Sequence, residues 1–109
     1  KSLKEALECD IDTAIKHEIE FLIGMCLYRE GKYKEALDIY NKFIEDVGEK
    51  QDARSLGLYF IAVCFEKQGK LDEAMELFSK VASDYPEMSI SKVAIRRVKQ
   101  CKEMLDNQQ

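Results

Sequence analysis

Between Ser55 and Met88 the chain reads SLGLYFIAVCFEKQGKLDEAMELFSKVASDYPEM, two amphipathic halves meeting at Gly69. In the first half Leu58, Ile61, Ala62 and Phe65 recur at helical steps. In the second, Leu71, Ala74, Leu77, Phe78 and Val81 do the same, and Pro86 follows as a stop. Both halves are predicted helices, joined where glycine can take the left-handed conformation that ends many helices. The apolar face of this hairpin is too large to stand in water, so the hairpin must stack on neighbours. That requirement limits the fold to layered helices.

Laying Gly31 over Gly69 shows the pattern a second time, 38 residues earlier: EFLIGMCLYREGKYKEALDIYNKFIEDV lies over LYFIAVCFEKQGKLDEAMELFSKVASDY. Cys26 falls on Cys64, Leu27 on Phe65, Ala36 on Ala74 and Tyr40 on Phe78. The first helix of this copy is predicted over Thr13 to Glu30, with Ile15, Ile19, Leu22, Ile23, Cys26 and Leu27 inward. Its second, Tyr33 to Val47, places Tyr33, Ala36, Leu37, Tyr40, Phe43, Ile44 and Val47 inward, and Gly48 closes it. Ahead of these, residues 2–9 form a short helical pattern on Leu3, Ala6 and Leu7. A break is expected at Asp10 to Asp12, where either aspartate can cap the next helix. Asp52 is the N-cap expected for the helix near Ala53 to Gln68. Ser89 or Ser91 caps a last helix with Ile90, Val93, Ala94, Val98, Cys101 and Leu105 as its stripe, and DNQQ frays. Small Gly24, Ala36, Ala62 and Ala74 have a physical reason, since helices approach closely only over small side chains.

This duplicated hairpin resembles the tetratricopeptide repeat, a helix–turn–helix unit of about 34 residues. The second copy carries Leu58, Ile61, Ala62, Phe65, Gly69, Leu71, Ala74, Phe78 and Pro86; the first carries Ile23, Gly24, Leu27, Gly31, Tyr33, Ala36 and Tyr40. The first copy departs at Glu20, where a bulky apolar residue is usual, and at Gly48, where proline is usual. The spacing of 38 adds about one helical turn, which lengthens a helix or loop without rotating its stripe. Such longer repeats are similar to those of bacterial envelope-assembly lipoproteins and periplasmic Tol-Pal partners, and a two-repeat, six-helix arrangement resembles the mitochondrial fission adaptor. The resemblance implies an all-α fold, a right-handed stack of antiparallel helical hairpins. It divides the single domain, 1–109, into an N-terminal helical segment (1–16), repeat 1 (17–50), repeat 2 (51–88) and a C-terminal capping helix (89–109).

Composition narrows the function. A chain of 109 residues affords one compact core. With 46% hydrophobic and 35% charged residues, five glycines and one proline, it suits helices with wet outer faces. The net charge of −4, with both signs interspersed, argues against nucleic acid. The one local basic group, Lys92, Arg96, Arg97, Lys99 and Lys102, reads as a solvated helix surface with cations near its C-terminal end. No apolar run approaches the ~18 residues of a membrane span, so no direct membrane insertion is expected. The chain opens on Lys1, the form expected of an excised domain or processed product. Cys9, Cys26, Cys64 and Cys101 form no close pair and all fall in apolar patterns, which favours core thiols over a metal site. Unpaired cysteines lean toward a cytoplasmic setting; the envelope resemblance gives a bacterial periplasm as the alternative.

Nothing in the sequence assembles a catalytic centre or a cofactor site. His17, the only histidine, has no adjacent partner, and the acidic residues Glu18, Glu20, Asp72, Glu73 and Glu76 alternate with lysines as solvated faces do. What the resemblance does imply is a concave face lined by the first helices. In this chain it assigns Glu18, Phe21, Met25, Tyr28 and Arg29 from the first copy, and Leu56, Tyr59, Val63, Glu66 and Lys67 from the second. Phe21, Met25, Tyr28, Tyr59 and Val63 would form an apolar floor rimmed by Arg29, Glu66 and Lys67. Either this groove stands open or a terminal helix folds over it. The basic and asparagine set with which family members hold chaperone tails is missing: Phe21, Met25, Tyr59 and Val63 occupy those positions. The expected function is a non-catalytic protein-interaction scaffold that binds a peptide or helix in the groove. The alternative is a structural segment of a longer array that stacks or self-associates.

Overall fold

The computed structural model describes the backbone of residues 3–108 and the side chains of residues 14–107. Five α-helices follow one another: α1 (Leu3–Arg29), α2 (Tyr33–Val47), α3 (Gln51–Lys67), α4 (Leu71–Asp84) and α5 (Ser89–Gln108). Each packs on the next, and α3 also reaches α5. Odd-numbered helices therefore form one layer and even-numbered helices the other. Their Cα envelope of 62 × 31 × 16 Å fits two helix layers set side by side.

Both hairpin turns are built alike. Gly31 and Gly69 have φ of 82° and 84°, and the amides beyond them reach back: Lys32 N–H to the Leu27 carbonyl at 2.9 Å, Lys70 N–H to the Phe65 carbonyl at 2.9 Å. This bond pattern satisfies the last carbonyls of α1 and α3, and glycine is needed because a side chain is strained at positive φ. The duplication seen in the sequence is thus a duplication of turn geometry.

The core forms in two connected parts. Ala36, Tyr40, Ile44, Ile61 and Cys64 bury one, between α2 and α3; Tyr59, Ala62, Val63, Leu71, Ala74, Phe78, Val81, Ala94 and Cys101 bury the other, among α3, α4 and α5. Small residues stand where helices touch. Ala36, Ala62 and Ala74 are fully buried. Gly57 lies so close to α2 that a Cβ there would sit 2.9 Å from Ile44 Cγ1.

Several expectations are corrected. No break interrupts Asp10–Asp12: α1 is one helix of 27 residues, so five helices replace the six of the adaptor-like arrangement. Asp52 lies inside the first turn of α3, whose N-cap is Lys50 without a side-chain bond; the Asp52 carboxylate accepts only from the neighbouring Ala53 amide at 2.9 Å. Ser91 does not cap as an acceptor. Its hydroxyl donates to the carbonyls of Val81, at 3.2 Å, and of Tyr85, tying α5 to the end of α4. The largest correction concerns α1. Ile15, Ile19, Leu22 and Ile23, expected inward, are 48, 50, 51 and 45% exposed, and Cys26 is exposed as well. The helix instead turns Glu20, Phe21, Gly24 and Tyr28 toward the stack. Of the cysteines expected in the core, Cys64 and Cys101 are there; the side chain of Cys9 lies outside the described residues.

Candidate functional site

The layer of first helices carries every residue assigned to the concave face, and the structure splits them into two groups. Where the middle of α1 faces the start of α3, a cavity of about 280 Å³ opens between Phe21, Phe43, Val47 and Leu56, with Glu18, Lys50 and Asp52 at its edge. Its aromatic wall is held from behind. Phe21 meets Phe43 at 5.4 Å and Phe60 at 5.3 Å between ring centroids, and His17 stands edge-on to Phe43 at 6.4 Å. These contacts fix the Phe21 ring while leaving it half-buried, the condition of a pre-formed apolar pocket.

The second group lies where α5 crosses α3. Tyr59 and Val63, expected as groove floor, are only 6% and 2% exposed and belong to the core with Ala94 and Cys101. The groove is therefore covered at this end by the C-terminal helix. A polar cluster closes it: Arg97 Nε donates to the Tyr59 hydroxyl at 3.2 Å, Arg97 Nη1 to Glu66 Oε1 at 3.1 Å, and the Cys101 thiol to Glu66 Oε2 at 3.4 Å. The Glu66 side chain is 8% exposed and that of Arg97 31%, so the pair is shielded enough to hold α5 in place. The sequence alone places Arg97 in a solvated basic surface. Its spacing from Ala94 and Cys101 is the helical signal that places it inward instead.

The remaining assigned residues divide simply. Met25 and Tyr28 are half-buried against the core, Leu56 is half-buried at the cavity, and Arg29 and Lys67 stay exposed at the last turns of α1 and α3. Burial pushes the Tyr28 phenol above its ordinary value, with Arg97 pulling the other way. His17, which the sequence reads as a surface or groove-edge residue, lines the cavity, and Phe43 and Val47 are walls that sequence reasoning misses. The α2 stripe marks Phe43 and Val47 as core, which they are at 5% exposure each, but gives no sign that a cavity borders them.

Charge and thiol chemistry are muted here. Burial raises the Cys64 thiol to about 11, and burial together with Glu66 does the same for Cys101, which leaves both protonated and unreactive near neutral pH. Among the described residues no three His, Cys, Asp or Glu side chains gather closely enough to hold a metal ion. No described helix is long and apolar enough to cross a membrane. What the site offers is a shaped apolar surface with a charged edge.

Comparison with curated proteins yields no match. The family model of the tetratricopeptide repeat matches residues 18–54 and 58–87, one segment for each hairpin with the turns at Gly31 and Gly69. Repeats of this kind generally mediate protein–protein interaction and scaffolding, and they are typically non-catalytic. With more than half of the chain matched and the two hairpins in place, this protein belongs to the tetratricopeptide repeat family.

Proposed function

We propose that the chain is a non-catalytic interaction module that captures an apolar side chain of a partner peptide or helix in the cavity between α1 and α3. The observation that carries this is the division of the concave face. α5 and the Arg97–Glu66 pair cover Tyr59 and Val63, while Phe21 and Leu56 keep an open, mainly apolar cavity of about 280 Å³. Glu18, Asp52 and Lys50 at its edge supply two negative charges and one positive, suited to orienting a segment that the cavity anchors. An apolar anchor with a mixed polar rim fits an amphipathic helix better than a strongly charged peptide.

Selection from a displayed library of amphipathic peptides, followed by calorimetric titration of a selected peptide, tests this reading. Leu56→Lys is expected to weaken binding at least about tenfold, or 1.4 kcal/mol, with helical content unchanged because Leu56 is only half-buried. A peptide that binds the variant as tightly as the wild type would remove the cavity from the site. A second reading, a segment that stacks or self-associates, is supported by the exposed apolar face of α1 on the opposite side of that helix.

A further inference from the structure

Glu20 and Leu58 occupy the same position in the two hairpins, 38 residues apart, yet only one of them is apolar. Leu58 packs against both parts of the core. Glu20 is buried as well, at 8% exposure, and neither of its carboxylate oxygens meets a hydrogen-bond donor. An ionised carboxylate left so is among the costliest groups a fold can enclose. What Glu20 does meet is a second carboxyl group, that of Asp46 on α2, within hydrogen-bonding reach. Two ionised carboxylates offer acceptors only, so this contact becomes a bond when one of them carries a proton.

Glu20 is the member that keeps the proton. Burial, then Asp46, raise its pKa, while Lys42 of α2 and Lys16 of α1 pull the other way. Each member of the pair is followed in the chain by a wall of the cavity, Phe21 after Glu20 and Val47 after Asp46. α2 is the helix on which α1 packs, and Phe21 meets Phe43 of α2 at 5.4 Å. The spacing of these two helices therefore decides how Phe21 faces Phe43 and Val47.

We infer that a proton shared between Glu20 and Asp46 latches α1 to α2 and thereby sets the shape of the cavity beside it. The latch stands on its own; its effect on binding rests on the cavity being the site. With the proton in place the Glu20 carboxyl donates to the Asp46 carboxylate, and Phe21 is held against Phe43. When the proton leaves to solvent, two negative charges are in contact, and Glu20 turns out toward Lys16, Lys42 and water. Phe21 then loses the backing of its neighbour. The latch closes as pH falls through the folded value of Glu20, which lies above the ordinary 4.5, and opens as pH rises through it. The second hairpin has no such device: Leu58 and Asp84 hold the matching positions, and leucine has no proton to give.

Carbon-13 NMR of the Glu20 carboxyl in the whole chain follows this proton without any partner. Glu20 should titrate above 4.5, the Phe21 ring signals should move with the same midpoint, and Asp46→Asn should lower that midpoint. Asp46 is exposed, so the substitution leaves the fold in place. Calorimetric titration of a cavity-selected peptide with capped ends and no titratable side chains reads the consequence. Its affinity for the wild type should fall at least about fivefold as pH rises through the midpoint, the low end of coupling between two sites. Glu20→Gln, which keeps a neutral donor toward Asp46, should not show this fall; any pH dependence left in it belongs to His17, Glu18 and Asp52 at the cavity. A midpoint at or below 4.5, one that Asp46→Asn leaves unmoved, or Phe21 signals that ignore it overturn the latch. Equal pH dependence of binding in the wild type and Glu20→Gln does so too. If Glu20 and Phe21 titrate together but no peptide binds the cavity at any pH, the latch stands and the cavity reading falls.

Discussion

Gly24 and Tyr40 set the spacing of the first hairpin: a Cβ at position 24 would lie 2.7 Å from Tyr40 Cε1 and 2.8 Å from Cζ. Tyr40 is fully buried and stacked on Phe60 at 5.7 Å, so its ring has nowhere to retreat. Gly24→Ala gains about 1 kcal/mol of helix propensity but forces overpacking worth about 1–3 kcal/mol. Clash prevails over propensity because the obstructing atoms belong to a rigid ring. Urea unfolding should show a net loss of stability, and a net gain would mean that α1 and α2 stand further apart.

Glu20 faces the same hairpin from inside. It is 8% exposed, neither carboxylate oxygen has a hydrogen-bond partner, and burial followed by the neighbouring Asp46 raises its pKa, with Lys42 and Lys16 opposing. A raised carboxyl pKa means that the folded state holds the proton more tightly than the unfolded chain. The favourable contribution is therefore complete below the ordinary value of 4.5 and is lost as pH rises through the folded value. Glu20→Gln should be more stable than the wild type at pH 7, with the advantage shrinking as pH falls toward 4.5. Chemical denaturation of both proteins across this range checks the sign, and a difference that does not change with pH would remove the burial penalty as its cause.

How far the sequence foretells this arrangement depends on which neighbours a residue has. The turns at Gly31 and Gly69, the small contacts at Ala36, Ala62 and Ala74, and the pairing of α2 with α3 follow from periodicity and duplication, because they are local or repeat one another. Ile15, Ile19, Leu22 and Ile23 mislead for the opposite reason. Their spacing marks a helix face made for contact, and the same spacing in α3 is buried by α2, but the described residues place no helix over that face of α1. Tyr59 and Val63 differ, because the sequence leaves open whether a terminal helix covers them. The repeat pattern puts them on the open face, and only the return of α5 across α3, fixed by Arg97 reaching Tyr59 and Glu66, takes them out of it.

That return can be weighed. Tyr59→Phe removes the hydroxyl that accepts from Arg97 Nε at 3.2 Å while keeping the ring against Phe78 at 5.4 Å. A loss of about 0.5–1.5 kcal/mol is expected. In an Arg97→Met background the same change should cost less, because the donor is already gone, and the difference is the coupling between them. A double-mutant cycle in urea measures it, and strict additivity would show that the α3–α5 contact rests on ring packing alone.

The thiols report the layering directly. Cys26 is exposed on α1, whereas Cys64 and Cys101 are buried and held near a pKa of about 11 by that burial, with Glu66 adding to the effect at Cys101. Thiolate is the reacting species, so a pKa near 11 in place of the ordinary ~8.5 lowers its fraction at pH 7.5 by a factor of roughly 100 or more. The backbone must also open before a reagent can enter. In a Cys9→Ser background at low micromolar concentration, one thiol should react with an aromatic disulfide within minutes. The remaining two should follow at least about 100-fold more slowly, and all three together in denaturant. Mass mapping should place the fast adduct on Cys26. A fast adduct on Cys101 would mean that α5 lifts from α3 and that the groove at Tyr59 and Val63 opens in solution.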